Sequence, residues 1–155
     1  GGEINIGLWI GSGMTPNRID GSGGAAEILR ELKANPDKRI LQGNPVQITS
    51  CPWCDCLIDL DGYEISGENG LVIRCNNNPK CEFHKALPIY VVDDDIYRVR
   101  PTLVLSTIDK FARLAWEINS KSLFGDNKIA PPELIIQHQF HISYIGTARL
   151  ACRDI

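Results

Sequence analysis

Thr102-Leu103-Val104-Leu105-Ser106 runs without a break into Thr107-Ile108-Asp109-Lys110-Phe111. This passage from strand to helix sets the fold class. The first five residues are mostly apolar and rich in strand formers, as a buried strand requires. Ser106, with Asp109 three residues later, fits a capping box, in which side chains satisfy the free amides of a helix's first turn. The spacing predicts a helix from Thr107 to about Asn119, with Phe111, Leu114, Ala115 and Ile118 along its apolar face.

The same alternation extends outward in both directions. Residues 4–10, Ile-Asn-Ile-Gly-Leu-Trp-Ile, read as a buried strand stopped by Gly11-Ser12-Gly13. Ala25 to Ala34 places Ile28, Leu29 and Leu32 on one face of a short helix, which Asn35-Pro36 ends. Residues 46–50, Val-Gln-Ile-Thr-Ser, read as a second strand. Leu87 to Val92 continues the apolar texture, and Asp93-Asp94-Asp95 after it reads as a solvated loop rather than a cation site. Beyond Pro131-Pro132, Glu133 to Gln137 reads as one more strand. Strands alternating with helices point to a parallel α/β sheet. A sheet this small is expected to leave apolar faces and edges uncovered.

Composition is consistent with that class. The chain has 155 residues, 43% of them hydrophobic and 23% charged, with a formal net charge of −3. These values exclude a mainly disordered tail, a collagen-like chain and a polycation. No apolar run approaches the roughly 20 residues of a membrane-spanning helix, so no membrane partner is expected. A basic segment followed by an apolar one is also missing at the start, so no signal peptide is expected. A chain starting Gly1-Gly2 reads as cut from something longer.

Six cysteines without secretory features suggest a reducing, cytoplasmic setting and metal ligation rather than disulfides. Cys51-Pro52-Trp53-Cys54 is a Cys-x2-Cys turn, which aims two sulfurs at one ion. After twenty intervening residues come Cys75 and Cys81, separated by Asn76-Asn77-Asn78-Pro79-Lys80, a longer gap than the usual knuckle. Between the pairs, Leu57 to Leu60 and Leu71 to Arg74 are expected to form a hairpin with one ligand pair at each base. Large apolar residues thin out over 51–86, so this stretch reads as an insert that needs a staple. Cys51, Cys54, Cys75 and Cys81 are the expected ligands of a structural Zn2+, with Cys56 and His84 as spares. The alternative is free thiols that merely pack, as Cys152 is expected to do.

Other candidates are weaker. Neither Gly11-Ser12-Gly13 nor Gly21-Ser22-Gly23-Gly24 matches a phosphate-binding loop, and both read as loops. The start of the helix at Thr107 suits either a phosphate or a simple cap. His138 and His141 lack an acidic or thiol partner nearby and read as uncommitted polar residues.

Three segments in order carry a resemblance. They are Gly7-Leu8-Trp9-Ile10-Gly11 with Thr15-Pro16-Asn17, then Arg100 to Ala112, then Pro131-Pro132-Glu133-Leu134-Ile135-Ile136-Gln137. Together with the cysteine pairs and Leu87 to Tyr97, they resemble the large superfamily-2 DExH-type helicase of the bacterial DISARM anti-phage system, over about residues 4–142. The resemblance implies part of a first RecA-like domain. Thr15, Pro16 and Asn17 would lie near one nucleic-acid-contacting motif, and Thr107, Asp109 and Lys110 near another. The family continues Ile-Ile-Gln into Asp-Glu-x-His, the Walker B motif. Here His138 and Gln139 stand in place of the two carboxylates, followed by Phe140 and His141. A neutral imidazole and an amide cannot supply the two carboxylate functions that the resemblance implies for magnesium and the attacking water.

The expectation is therefore a partial RecA-like parallel sheet, residues 1–50 and 87–155, divergent at its end as in a frameshifted gene. A zinc-ribbon-like insert over 51–86 would interrupt it. ATP and Mg2+ would act only in an intact parent, whose partners would be nucleic acid, DNA before RNA, and other defence-system subunits. The rival expectation is a non-catalytic nucleic-acid or protein-binding module, in which Trp53, Tyr63, Arg74, Lys80 and Lys85 make the contacts.

Overall fold

The computed structural model describes residues 4–113, 118–125, 132, 134 and 135. The chain divides into two compact units, Gly1–Arg113 and Leu114–Ile155. In the second, Ile118–Phe124 forms a 3₁₀ segment in which Ser120 is buried. His138, Gln139, Phe140, His141 and Cys152 lie outside the described residues. So do residues 114–117 of the expected long helix and most of the expected strand at 133–137.

The first unit is mixed α/β. Its parallel sheet has the order β4-β1-β5, with β1 (Ile6–Trp9) between β4 (Ile89–Tyr90) and β5 (Leu103–Ser106). Ile6 pairs with both Ile89 and Leu103, and the β1–β5 register runs on to Trp9 with Ser106. The chain passes from β4 to the far edge through helix α2 (Asp93–Val99), which crosses one face of the sheet. Gly7 makes that crossing possible, because a side chain there would stand 2.9 Å from the Pro101 ring and 3.4 Å from Ile96. Trp9, on the same face, meets the Tyr97 ring edge-on at 6.1 Å. Arg100 ends α2 in the left-handed region at φ 55, and Pro101 cannot extend it. The opposite face carries Leu103 and Leu105, about half exposed at 48% and 52%.

Helix α1 (Ala25–Ala34) has the expected bounds, with Ala25, Ile28, Leu29 and Leu32 buried. α3 (Ile108–Arg113) follows β5 after one residue. Ser106 does not cap it in the expected way, since its hydroxyl donates to the Thr107 carbonyl at 3.1 Å.

Three further expectations need correction. Residues 46–50 are not a strand and make only a single bridge, Ser50 with Leu57. The Tyr63 hydroxyl takes the place of a neighbouring strand: it accepts the Ile48 amide at 2.9 Å and donates to the Ile48 carbonyl at 2.7 Å. The hairpin's first strand is β2 (Tyr63–Ser66), not 57–60, and it pairs antiparallel with β3 (Gly70–Ile73). Asp59 turns the chain beforehand by accepting the Asp61 amide at 2.9 Å, which folds Leu60–Gly62 into a 3₁₀ turn. Finally, the acidic run is not a loop. Asp93, Asp94 and Asp95 form the first turn of α2, where carboxylates oppose the positive end of the helix dipole, and two of them are buried.

The insert shares its core with its surroundings. Tyr63, Leu71 and Ile73 pack in one apolar cluster with Ala25 and Leu29 of α1 and with Leu87, Val91 and Val92. Among the described residues, no helix is long and apolar enough to cross a membrane.

Candidate metal centre and sheet-edge cluster

Two knuckles place the cysteines. In the first, the Asp55 amide donates to the Cys51 carbonyl at 2.9 Å, with Asp55 in the left-handed region at φ 57. The Cys51 amide then donates to the Cys56 carbonyl at 2.8 Å, closing the loop so that both sulfurs face inward. In the second, the Cys75 amide donates to the Phe83 carbonyl at 3.0 Å, and the Cys81 amide to the Asn78 carbonyl at 3.0 Å.

The sulfurs of Cys51, Cys54, Cys75 and Cys81 all lie within 4.8 Å of one another. Across the two knuckles, Cys51 is 3.8 Å from Cys81 and Cys54 is 3.6 Å from Cys75. A disulfide needs about 2.05 Å. A tetrahedron of thiolates with metal–sulfur bonds of about 2.3 Å puts its sulfurs about 3.8 Å apart. The donor set and its spacing therefore fit a four-coordinate metal ion. Neither spare joins it: His84 is exposed, with its Nδ1 2.8 Å from the Cys81 carbonyl, and Cys56 stands outside the group of four.

The cysteines differ electrostatically. The Cys56 backbone amide beside Cys54, helped by Asn78, draws the Cys54 thiol down to about 6. Burial pushes the Cys75 and Cys81 thiols up. Contact with Cys54 raises Cys56 as well. One thiolate is thus ready near neutral pH, and an arriving cation would displace protons from the buried sulfurs.

A second constellation sits at the carboxyl ends of the parallel strands, where open α/β sheets place their sites. Lys110 of α3 is buried and pairs with Asp93 of α2, and it also donates to Asn17 Oδ1 at 3.1 Å. Tyr97 donates to the same Asp93 oxygen at 3.4 Å, and the Trp9 indole donates to the Tyr97 hydroxyl at 3.1 Å. Asp93 Oδ1 is buried without a partner. Burial raises the Asp93 carboxyl above its usual range, with Lys110 pulling the other way. Next door, Asp94 accepts the Ile19 amide at 3.1 Å and donates its own amide to the Asn17 carbonyl at 3.1 Å.

The structure thus brings Asn17 and Lys110 together across 93 residues of sequence. Asn17, Thr107 and Asp109 are exposed there, and the Asp109 carboxylate lies against Gly11. Thr15, Pro16 and Lys110 are buried. The Thr15 hydroxyl donates to the Ile10 carbonyl at 3.5 Å. Sequence reasoning missed Asp93 and Tyr97 in this cluster, because an acidic run carries no local sign of a distant lysine.

On the insert, Tyr63 is fully buried, and Arg74 is held by Glu64 at 3.0 Å and by the Asp61 carbonyl at 3.1 Å. Trp53 is 65% exposed and meets the Phe83 ring edge-on at 5.7 Å. Residues 51–86 carry six acidic side chains against three basic ones.

Fold and centre together define a small parallel α/β unit carrying a four-cysteine cluster that could hold a metal ion. No protein-family model matches the chain. It is similar to DISARM protein DrmA of Bacillus paralicheniformis (strain ATCC 9945a / NCIMB 11709 / CD-2), with 30% identity over an alignment of 183 residues. The match takes in 90% of this chain but only 16% of that protein, so the chain spans a small part of the relative's length. The sequence similarity is thus to a part of that DISARM protein.

Proposed function

We propose that this chain is part of the first RecA-like domain of a superfamily-2 helicase acting in anti-phage defence, interrupted by a zinc-stapled insert over residues 51–86. The parent would couple ATP hydrolysis, with Mg2+, to movement on DNA. This part would supply nucleic-acid contacts at the carboxyl edge of its sheet and would not hydrolyse ATP by itself. The observation that carries the reading is the hydrogen bond between Lys110 and Asn17. It joins the two stretches that resemble strand-contacting motifs, at the edge where parallel sheets bind ligands. Buried Lys110 positions Asn17, and the exposed side chains of Asn17 and Thr107 face the strand. The similarity to DrmA supports the defence context.

Cys51, Cys54, Cys75 and Cys81 would hold the zinc. A closed four-thiolate ion stabilises the fold and performs no chemistry.

Titrating a fluorescent single-stranded oligonucleotide with the purified chain at two salt concentrations tests the reading. Salt-dependent binding that weakens several-fold in Asn17→Ala and Thr107→Ala is expected, without DNA-stimulated phosphate release. Binding indifferent to both substitutions would overturn the assignment of that edge. One observation favours a second reading: the exposed Trp53, on an acidic insert, suits contact with a protein better than with nucleic acid. If so, Trp53→Ala would leave oligonucleotide binding unchanged.

A further inference from the structure

The gap between Cys75 and Cys81 is five residues long, yet their sulfurs converge on those of the tight first knuckle. Something outside the loop must fold it back, and the structure shows what does. Asp59 Oδ1 accepts from the Asn76 side chain at 2.5 Å, and Asp59 Oδ2 from the Asn77 side chain at 3.0 Å. Asn77 also donates to the Leu57 carbonyl at 2.9 Å. The third asparagine closes the loop itself: Asn78 Oδ1 accepts the Lys80 amide at 3.1 Å, and its carbonyl accepts the Cys81 amide. Asp59 is fixed in turn by the Asp61 amide, which it accepts as the cap of the 3₁₀ turn. Each of the three asparagine side chains of the long gap therefore makes a hydrogen bond, although Asn76 Oδ1 is buried without a partner, and two of the three end on one carboxylate.

We propose that Asp59 is the positioning residue of the metal centre: by gripping Asn76 and Asn77 it holds Cys75 and Cys81 in register with Cys51 and Cys54. This rests on the four-cysteine centre binding a metal. Asp59 is not one of the four clustered ligands. It acts on the loop's freedom, so the charge of the carboxylate alone is not what matters. Groups that orient ligands in this way commonly change metal affinity by about 10- to 100-fold.

The experiment is competition of the full chain against a chromophoric chelator for zinc, with cobalt as a spectroscopic probe. Asp59→Ala is expected to lower zinc affinity about tenfold and to speed cobalt release, while the bound cobalt keeps its four-thiolate charge-transfer bands. Asn77→Ala, which removes one arm only, should fall between it and the unaltered chain, and it reads the effect should Asp59→Ala fail to fold. Asp59→Asn keeps one acceptor oxygen and should recover part of the loss. Glu68→Gln removes an exposed negative charge from the same hairpin and should change nothing. Affinities for Asp59→Ala and Asn77→Ala equal to that of the unaltered chain would overturn the proposal while leaving the metal centre standing. If the unaltered chain shows no cobalt–thiolate bands, the metal centre itself fails.

Discussion

The Leu71 amide donates to the Asp95 carboxylate at 2.9 Å, and this buried bond fastens the cysteine-bearing hairpin to the helix that crosses the sheet. Arg98 completes the clamp, pairing with Asp95 at 2.8 Å and donating to the Asn69 carbonyl at 2.8 Å. Three consecutive aspartates thus serve three directions: Asp93 toward α3, Asp94 toward the loop after β1, and Asp95 toward the insert.

Gly70 is where the clamp is least forgiving. Its φ is +70, and a side chain there would collide with the Asp95 carboxylate. Gly70→Ala adds left-handed strain and displaces a buried carboxylate, so a loss of about 3 kcal/mol is expected in urea unfolding. Asp95→Ala leaves the Leu71 amide buried without an acceptor and should cost about 2 kcal/mol. A change below the error of the measurement in both would show that the clamp is not a stabilising contact.

The Lys110–Asp93 pair makes a sharper case, because both side chains are buried. Lys110→Met strands a carboxylate that already has one oxygen without a partner, and a loss of about 3–5 kcal/mol is expected. Asp93→Asn combined with Lys110→Met should recover most of it, since no uncompensated charge then remains. Strict additivity in this double-mutant cycle would mean that the two groups do not interact.

How far the sequence reveals this arrangement depends on the range of each contact. The Cys-x2-Cys turn and helix α1 are local patterns and are legible as such; α1 matches its expected bounds. The parallel sheet is legible from the strand–helix alternation, with β1 and β5 close to where it puts them. The expected strand at 46–50 fails because its partner is a hydroxyl fifteen residues away, which no pattern of alternation reveals. The acidic run reads as solvated because its partners, Lys110, the Ile19 amide and the Leu71 amide, are 17, 75 and 24 residues distant. For the centre, the four sulfurs are legible from spacing, whereas the grip of Asp59 on the second loop is not.

Asp59 also predicts a pH dependence. Hydrogen bonds from Asn77, Asp61 and Asn76 hold its carboxyl below the usual carboxylate range. A carboxyl lowered on folding stabilises the fold above its unfolded value, about 3.9, and that stability is lost as pH falls through the lower folded value. The unaltered chain should therefore exceed Asp59→Asn in stability at pH 6, and the gap should narrow as pH falls below about 3.9. A difference that stays constant across that range in parallel urea titrations would assign the effect to shape rather than charge.

Removing an ion held by the four cysteines that could bind one should reach beyond those cysteines. Cys51, Cys75 and Cys81 belong to the same apolar cluster as Ala25 and Leu29 of α1, so loosening the knuckles opens that core to water. The β1–β5 pairing keeps its own ladder and α2 over Gly7 and Trp9, although Leu8 also packs against that cluster. An ion present at about a hundred times its dissociation constant adds ~2.7 kcal/mol, which corresponds to a fall of roughly 10 °C in Tm when a strong chelator strips it. Amide exchange should then rise across 51–86 and in α1, while Val104 and Leu105 keep their protection. Cys75→Ser should reproduce the same pattern without chelator. Exchange confined to the two knuckles, with α1 unchanged, would show that the shared core stands without the ion.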